Sequence, residues 1–323
     1  MVARALRVAV LVSLVVLVIS VTASSAALVL GPVATVRTGS VVFSLFTGGA
    51  TLVRGGVARA GHSGDRLGDG DTVMTGADSK AGLLYQDGSV TRLDSDTTVT
   101  VHVATSAAGT AFEQSTGLTW NRVQQLVGSR RFTITGPNST AAEVRGTEFG
   151  YYVEHDPAGN PVIWVDVWSG LVQVTGATGP PVVGGTGQRV TVRLGEAPTK
   201  PVAIPAPDRQ LSFTVFNQAL NAVSGTPVAF ADGSLSQGGA AAPGSVRADG
   251  RSDLDFVLAW PGSTYRLTVR DPSGAVLAAP TSAVPPLEVR VPAARAGTWS
   301  FLVEDLASAQ QEAWWVVVGR TPH

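Results

Sequence analysis

The sequence predicts an all-β protein. It comprises a larger β-sandwich or roll, a proline-marked connector with one helix, and a small C-terminal β-sandwich, all preceded by a hydrophobic leader or anchor helix. Three observations predict this class. Of 323 residues only 15% are charged, while 37 are glycine and 19 proline, as suits short apolar strands broken by many turns. Apolar residues alternate at period two along both halves, as in Val99, Val101 and Val103 against Thr98, Thr100 and His102. One clear stripe at helical spacing stands between the halves: Leu211, Val215, Phe216, Ala219, Leu220 and Val223.

Four regions follow. Residues 1–30 form the leader: Arg4 and Arg7 precede an uncharged run over residues 8–30. A signal peptide has this form, with Ser24-x-Ala26 or Ser25-x-Ala27 as cleavage site. A membrane anchor of about 20 apolar residues has it too. Both readings place the body outside the cytoplasm, because the positive charges stay inside. Residues 34–195 form the larger β domain, residues 196–227 the connector and helix, and residues 228–320 the small sandwich.

The larger domain is organised around residues 64–93. Gly68-Asp69-Gly70-Asp71 is a turn, Thr72 to Thr75 a strand, and Ala81, Leu83 and Tyr85 one face of the next strand. Asp87-Gly88 predicts a two-residue type I′ hairpin returning through Ser89 to Leu93. Strands are expected at residues 34–37, 40–46, 50–54 and 97–103. Residues 118–127 read as strand then turn. Further strands follow at residues 131–135, 139–144, 150–154, 162–168, 171–174 and 188–194. Prolines 201, 205 and 207 predict a stiff extended spacer. Asp208 is the expected N-cap of a helix running to Val223, stopped by Gly225 and Pro227. In the last region Leu254/Phe256/Leu258, Tyr265/Leu267/Val269 and Leu287/Val289/Val291 alternate, Asp271-Pro272-Ser273-Gly274 is a turn, and Trp299 to Glu304 and Ala313 to Val318 are strands.

Several motifs fall together in the first half: G-D-x-x-x-T-G at Gly70 to Gly76, D-G-S-V at Asp87 to Val90, and V-R-G-T-E-F at Val144 to Phe149. VDVWSGLVQV at Val165 to Val174 and G-Q-R-V at Gly187 to Val190 follow. In order and spacing this region resembles the FecR-type domain, the periplasmic sensor domain of iron-citrate regulators. The resemblance implies an exported all-β domain that senses or binds something, and it does not imply catalysis. Those regulators carry a cytoplasmic segment that contacts a sigma factor. Only Met1 to Arg7 precede the apolar run here, so no folded anti-sigma element is expected. The run L-A-W-P-G-S-x-Y-x-L-x-V, with A-G-T-W-S-F later, resembles the sandwiches appended to secreted bacterial proteins, including the pre-peptidase C-terminal type.

Candidate chemistry is sparse. The net charge of -1 and the scattered basic residues give no nucleic-acid footprint. Without cysteine there are no disulfides, thiol nucleophiles or cysteine metal sites. His62, His102, His155 and His323 have no ligand spacing, and no G-x-S-x-G elbow occurs. Asp65, Asp69 and Asp71, like Asp94 and Asp96, read as turn formers, short of a calcium-loop pattern. No catalytic residue, metal ligand or cofactor is expected. Three residues are candidates for partner binding. Arg145 is either an anion contact or the partner of Glu148 around Gly146. Trp164 and Trp168 share a strand face and form either an aromatic platform or core under the helix. Trp314 and Trp315 point to opposite faces, so at least one is expected at the surface. Asn138-Ser139-Thr140 matches a glycan acceptor.

The leading expectation is an exported, non-catalytic binding or sensing module of the bacterial envelope. Its partner would be an envelope protein or glycan, and an uncut leader would hold it to the membrane. The alternative is a component of transmembrane signalling that acts through a separate membrane partner. An envelope hydrolase is the third reading, for which no His cluster or paired carboxylates stand out.

Overall fold

The computed structural model describes residues 41–102, 111–124, 131–144, 146–206 and 211–323. The leader, the strand expected at residues 34–37, Arg145 and Asp208 lie outside them. Among the described residues no helix is long and apolar enough to cross a membrane.

The first half holds β1 (Val41–Thr47), β2 (Ala50–Arg54), β3 (Val57–Ala60), β4 (Arg66–Leu67), β5 (Thr72–Thr75), β6 (Lys80–Leu84), β7 (Val90–Leu93), β8 (Thr98–His102) and β9 (Ala111–Arg122). It continues through β10 (Phe132–Gly136), β11 (Thr140–Val144), β12 (Glu148–His155), β13 (Pro161–Ser169), β14 (Leu171–Thr175), β15 (Val182–Gly185), β16 (Gln188–Arg193) and β17 (Val202–Ala203). Among the described residues these make two facing sheets. One runs β4-β1-β6-β7-β9-β12-β13-β16-β17, antiparallel throughout. The other runs β3-β2-β5-β8-β9-β10-β11-β14-β15, with β9 and β10 its parallel pair. The alternating residues meet between them. Phe43, Leu83, Phe149, Ile163, Val165 and Val167 face Val73, Val99, Phe112, Ile134, Val172 and Val174, all fully buried.

Strand β9 belongs to both sheets. Its first half pairs with β8 and β10, its second with β7 and β12. The change of sheet falls at Gly117, whose φ is +86° and whose absent Cβ leaves room for Thr97: a Cβ there would sit 2.5 Å from the Thr97 Cα. Buried Gln114 satisfies the backbone of the bend, donating to the carbonyls of Gly117 (2.7 Å) and Tyr151 (3.1 Å). Gly117→Ala therefore meets both a positive φ and a backbone clash. It is expected to cost about 1–3 kcal/mol, read as a lower urea midpoint. Gly159→Ala, at φ +83° with open space around it, is expected to lose less.

The hairpin after β6 differs from its expectation. Only Gly88 has a positive φ (83°), and the Tyr85 and Gly88 amides donate to the Ser89 and Tyr85 carbonyls. This is a three-residue loop with glycine in the last position, not a type I′ pair. Gln86 takes the first position, so Asp87 keeps a negative φ and its carboxylate accepts from the Ser89 amide at 2.8 Å. Asp271 to Ala275 repeats the same bonding around Gly274.

The spacer is extended as expected but is not free. Val202 and Ala203 pair with Arg189 and Gln188, and Ile204 is 4% exposed. Helix α1 (Ser212–Ala222) follows. Its N-cap is Leu211, without a side-chain cap, and Leu211 is 40% exposed while Phe213 is 3% exposed, so the buried apolar face begins at Phe213 and not at Leu211.

The second half holds β18 (Thr226–Leu235), β19 (Gly244–Ala248), β20 (Ser252–Ala259), β21 (Tyr265–Arg270), β22 (Val276–Ala278), β23 (Thr281–Ser282), β24 (Leu287–Val291), β25 (Gly297–Asp305) and β26 (Glu312–Pro322). One sheet is β18-β26-β20-β24. The other is β19-β25-β21-β22, with β23 also on β21. Trp260 stacks on Tyr265 at 5.4 Å in the core between them. Strands β20 and β26 are buried on both faces because α1 lies on the outer one. Trp314 therefore enters the sandwich core, Trp315 enters the helix contact, and both are under 5% exposed. This corrects the expectation of a surface tryptophan.

Where the chain leaves α1, the Ser224 amide donates to buried Asp255 at 2.7 Å. Burial pushes the Asp255 carboxyl up to about 6. Between about pH 4 and 6 the fold holds a proton that the unfolded chain has lost, so this group makes stability fall as pH rises through that window. Asp255→Asn is expected to flatten the wild-type slope there, read from urea midpoints at pH 4.5 and 7.

Candidate functional site

The V-R-G-T-E-F motif lies where two turns abut. Gly146 and Gly170 both have positive φ. A Cβ on Gly170 would meet the Thr147 Oγ1 at 3.0 Å and the Gly146 carbonyl oxygen at 3.1 Å. Thr147 ties the turns together: its hydroxyl donates to the Leu171 carbonyl at 3.0 Å and its carbonyl accepts from the Val123 amide at 2.9 Å. Beside these turns an open groove of about 480 Å³ runs over the outer face of β11, β14 and β15. Glu143, Gln173 and Val183 lie in one row across these three strands. Glu143 accepts from Arg131. Leu171 and Val183 project to solvent, 65% and 51% exposed. The groove thus offers two aliphatic side chains bordered by an amide and an ion pair, which is binding chemistry. Arg145 falls between two residues of the groove wall, Val144 and Gly146, but is itself outside the described residues. So is its expected pairing with Glu148.

Glu148 has other partners. Its carboxylate accepts from the Trp120 indole (2.7 Å) and from Asn221 of α1 (2.5 Å). Trp168 stacks on Trp120 at 5.0 Å and 19° and packs against the cluster that α1 forms with both sandwiches. Trp164, half-buried, lies under the Arg189 guanidinium at 5.0 Å. That guanidinium in turn holds fully buried Asp166 by two bonds of 2.6 Å. The two tryptophans share a face, yet each has a different cover.

The junction is built on α1. Phe216 meets Trp315 at 4.8 Å and Phe46 at 5.8 Å. Lys80, 7% exposed, pairs with Asp94 at 2.5 Å and stands 5.5–5.9 Å from the rings of Phe213, Phe216 and Trp315. Arg92 on β7 donates to the side-chain oxygens of Asn217 (3.0 Å) and Asn221 (2.7 Å). The turn aspartates are also engaged. Asp71 takes Arg54 and the Gly68 amide. Asp65 takes Arg59, whose bond holds the Asp65 carboxyl down to about 2.

Residues 71–173 match the family model described as FecR protein. The match covers less than half of the chain. It begins beside β5 and ends within β14, so the FecR-type segment contains Arg131, Glu143, Leu171 and Gln173 of the groove but stops before Val183. It does not reach the second sandwich, whose pre-peptidase resemblance rests on sequence pattern alone. No curated protein matches the chain. A solved "putative anti-sigma factor" from Parabacteroides distasonis ATCC 8503 is similar at 16% identity and TM-score 0.36, over 46% of this chain and 64% of that one. The chain therefore spans less than two thirds of that structure. The Bacteroides ovatus mixed-linkage glucan utilization locus protein SGBP-B, in complex with a heptasaccharide, aligns at 10% identity and TM-score 0.17, over 89% and 90%. Neither score carries an argument about fold or ligand.

Sequence reasoning missed Lys80 and Arg92, which sit on strands of the FecR-type segment and reach α1. A signal existed: each is a lone cation within an apolar strand, and Asn217 and Asn221 fall four apart on one helix face.

Proposed function

We propose that the chain is an exported, non-catalytic binding or sensing module of the bacterial envelope, and that its groove beside Gly146 and Gly170 takes an envelope protein. The exposure of Leu171 and Val183 within a polar border carries this reading, because solvent-facing aliphatic patches of that kind mark interaction surfaces. The basic start and apolar run of residues 1–30 support export, and the FecR match supports a part in envelope signalling. A glycan is less suited to the groove: sugar sites favour open aromatic faces, and the groove lining has none among the described residues, while Trp164 and Trp168 are already covered.

The test is co-purification of the tagged full chain from its own cells. Leu171→Asp with Val183→Asp is expected to lose the partner while leaving the unfolding free energy from urea titration within about 0.5 kcal/mol of wild type, as for other surface changes. Val276→Asp, on the second sandwich, is expected to keep it. Retention of the partner by the groove variant, or turnover of an envelope substrate by the purified chain, would overturn the reading.

A further inference from the structure

A second cavity lies on the opposite sheet of the FecR-type sandwich, where β1, β6 and β7 face the end of α1. It is an open cleft of about 410 Å³, within the range of small-molecule sites. Phe46, Leu84, Val90, Leu220, Val223 and Pro227 make apolar walls, and among the described residues the one charged side chain in the lining is Arg92. Leu84 is 47% exposed, so the cleft opens to solvent.

Arg92 is an unusual lining group. It is 7% exposed, and no carboxylate lies within 4.0 Å of it among the described residues. Its Nη1 donates to Asn217 Oδ1, Asn221 Oδ1 and, at 3.4 Å, the Asn217 carbonyl. All of these acceptors are neutral. Nε and Nη2 have no acceptor among the described residues. The Glu148 carboxylate, which acts on Arg92 from a distance, is held by Trp120 and Asn221. Burial lowers the guanidinium to about 10, so it stays charged at neutral pH. Buried cations are ordinarily paired, and a guanidinium edge with two free donors matches a carboxylate.

We propose that this cleft binds a small amphipathic carboxylate of the medium-chain fatty-acid type, with Arg92 as its counter-ion and the apolar walls around its tail. An extended peptide fits less well. Strands β6 and β7 are paired on both sides, and the other edge of β1 is occupied by β4, Ser63, Gly64 and Asp65. No free strand edge remains in the floor to take a main chain.

Isothermal titration of the full chain with sodium decanoate, below its micelle concentration, tests this. Decanoate is expected to bind at one site at least tenfold more tightly than decanol or butyrate. Arg92→Gln is expected to weaken it at least tenfold. Leu84→Trp, which fills the mouth without touching the Arg92 bonds, is expected to abolish it, and this variant decides the matter if Arg92→Gln fails to fold. Leu171→Asp is expected to leave decanoate binding unchanged, which separates this cleft from the groove. Absence of saturable binding, equal affinity for decanol, or full binding by Leu84→Trp would overturn the proposal.

Discussion

Phe216→Ala is expected to cost about 3–5 kcal/mol and to turn one unfolding transition into two. Phe216 is fully buried at the meeting point of three bodies. On one side lies Phe46 of the first sandwich, on another Trp315 and Phe230 of the second, and Phe213 neighbours it on its own helix. Removing the ring leaves a cavity bordered by parts that do not share a backbone, so the sandwiches lose their common core before either loses its own. Differential scanning calorimetry checks this. Leu211→Ala, at an exposed position beside the helix start, is the control and is expected to change little. A single transition shifted by less than about 1 kcal/mol would mean that α1 does not couple the two halves.

Asp166→Ala is expected to destabilise the first sandwich by a similar amount, about 3–5 kcal/mol, because it removes the buried carboxylate that takes two 2.6 Å bonds from the Arg189 guanidinium. Arg189 is 8% exposed and Asp166 fully buried, so water gives little help to either. The attraction within such a pair barely exceeds the desolvation of its members, and an apolar replacement of both loses less than the removal of one. Asp166→Leu combined with Arg189→Met is therefore expected to be more stable than Asp166→Ala alone. Urea midpoints of the three proteins decide it. Asp166→Ala also loosens the Arg189 guanidinium that covers Trp164, which is expected to shift the fluorescence of Trp164 to the red.

The alternating strands were legible because each has one buried face. Ile163, Val165 and Val167 point into the core, as their spacing says. The legible part ends where a strand is covered twice. In β20 and β26 the helix buries the outer face, so Val257, Ala259 and Trp315 are as dry as their inward neighbours, and period two carries no information. Turn length was also hidden. Asp87-Gly88 is compatible with a two-residue loop, but the Tyr85 and Ser89 pairing adds Gln86 to it. The corner at Gly117 depends on Thr97, twenty residues earlier in the chain, and no local pattern records that approach. Of the candidate site, the motif around Gly146 borders the groove. Leu171 and Val183 carry no signal of their own, because an exposed aliphatic residue in a strand looks like a core residue until the sheet is built.

Photo-crosslinking in living cells tests the central claim most directly. A photoreactive phenylalanine analogue is placed at position 183 in one full-length chain and at position 276 in another. The account predicts an adduct with a second protein from position 183, its loss in the Leu171→Asp background, and no such adduct from position 276. Equal adducts from both positions, or an adduct at position 183 that Leu171→Asp leaves intact, would contradict it.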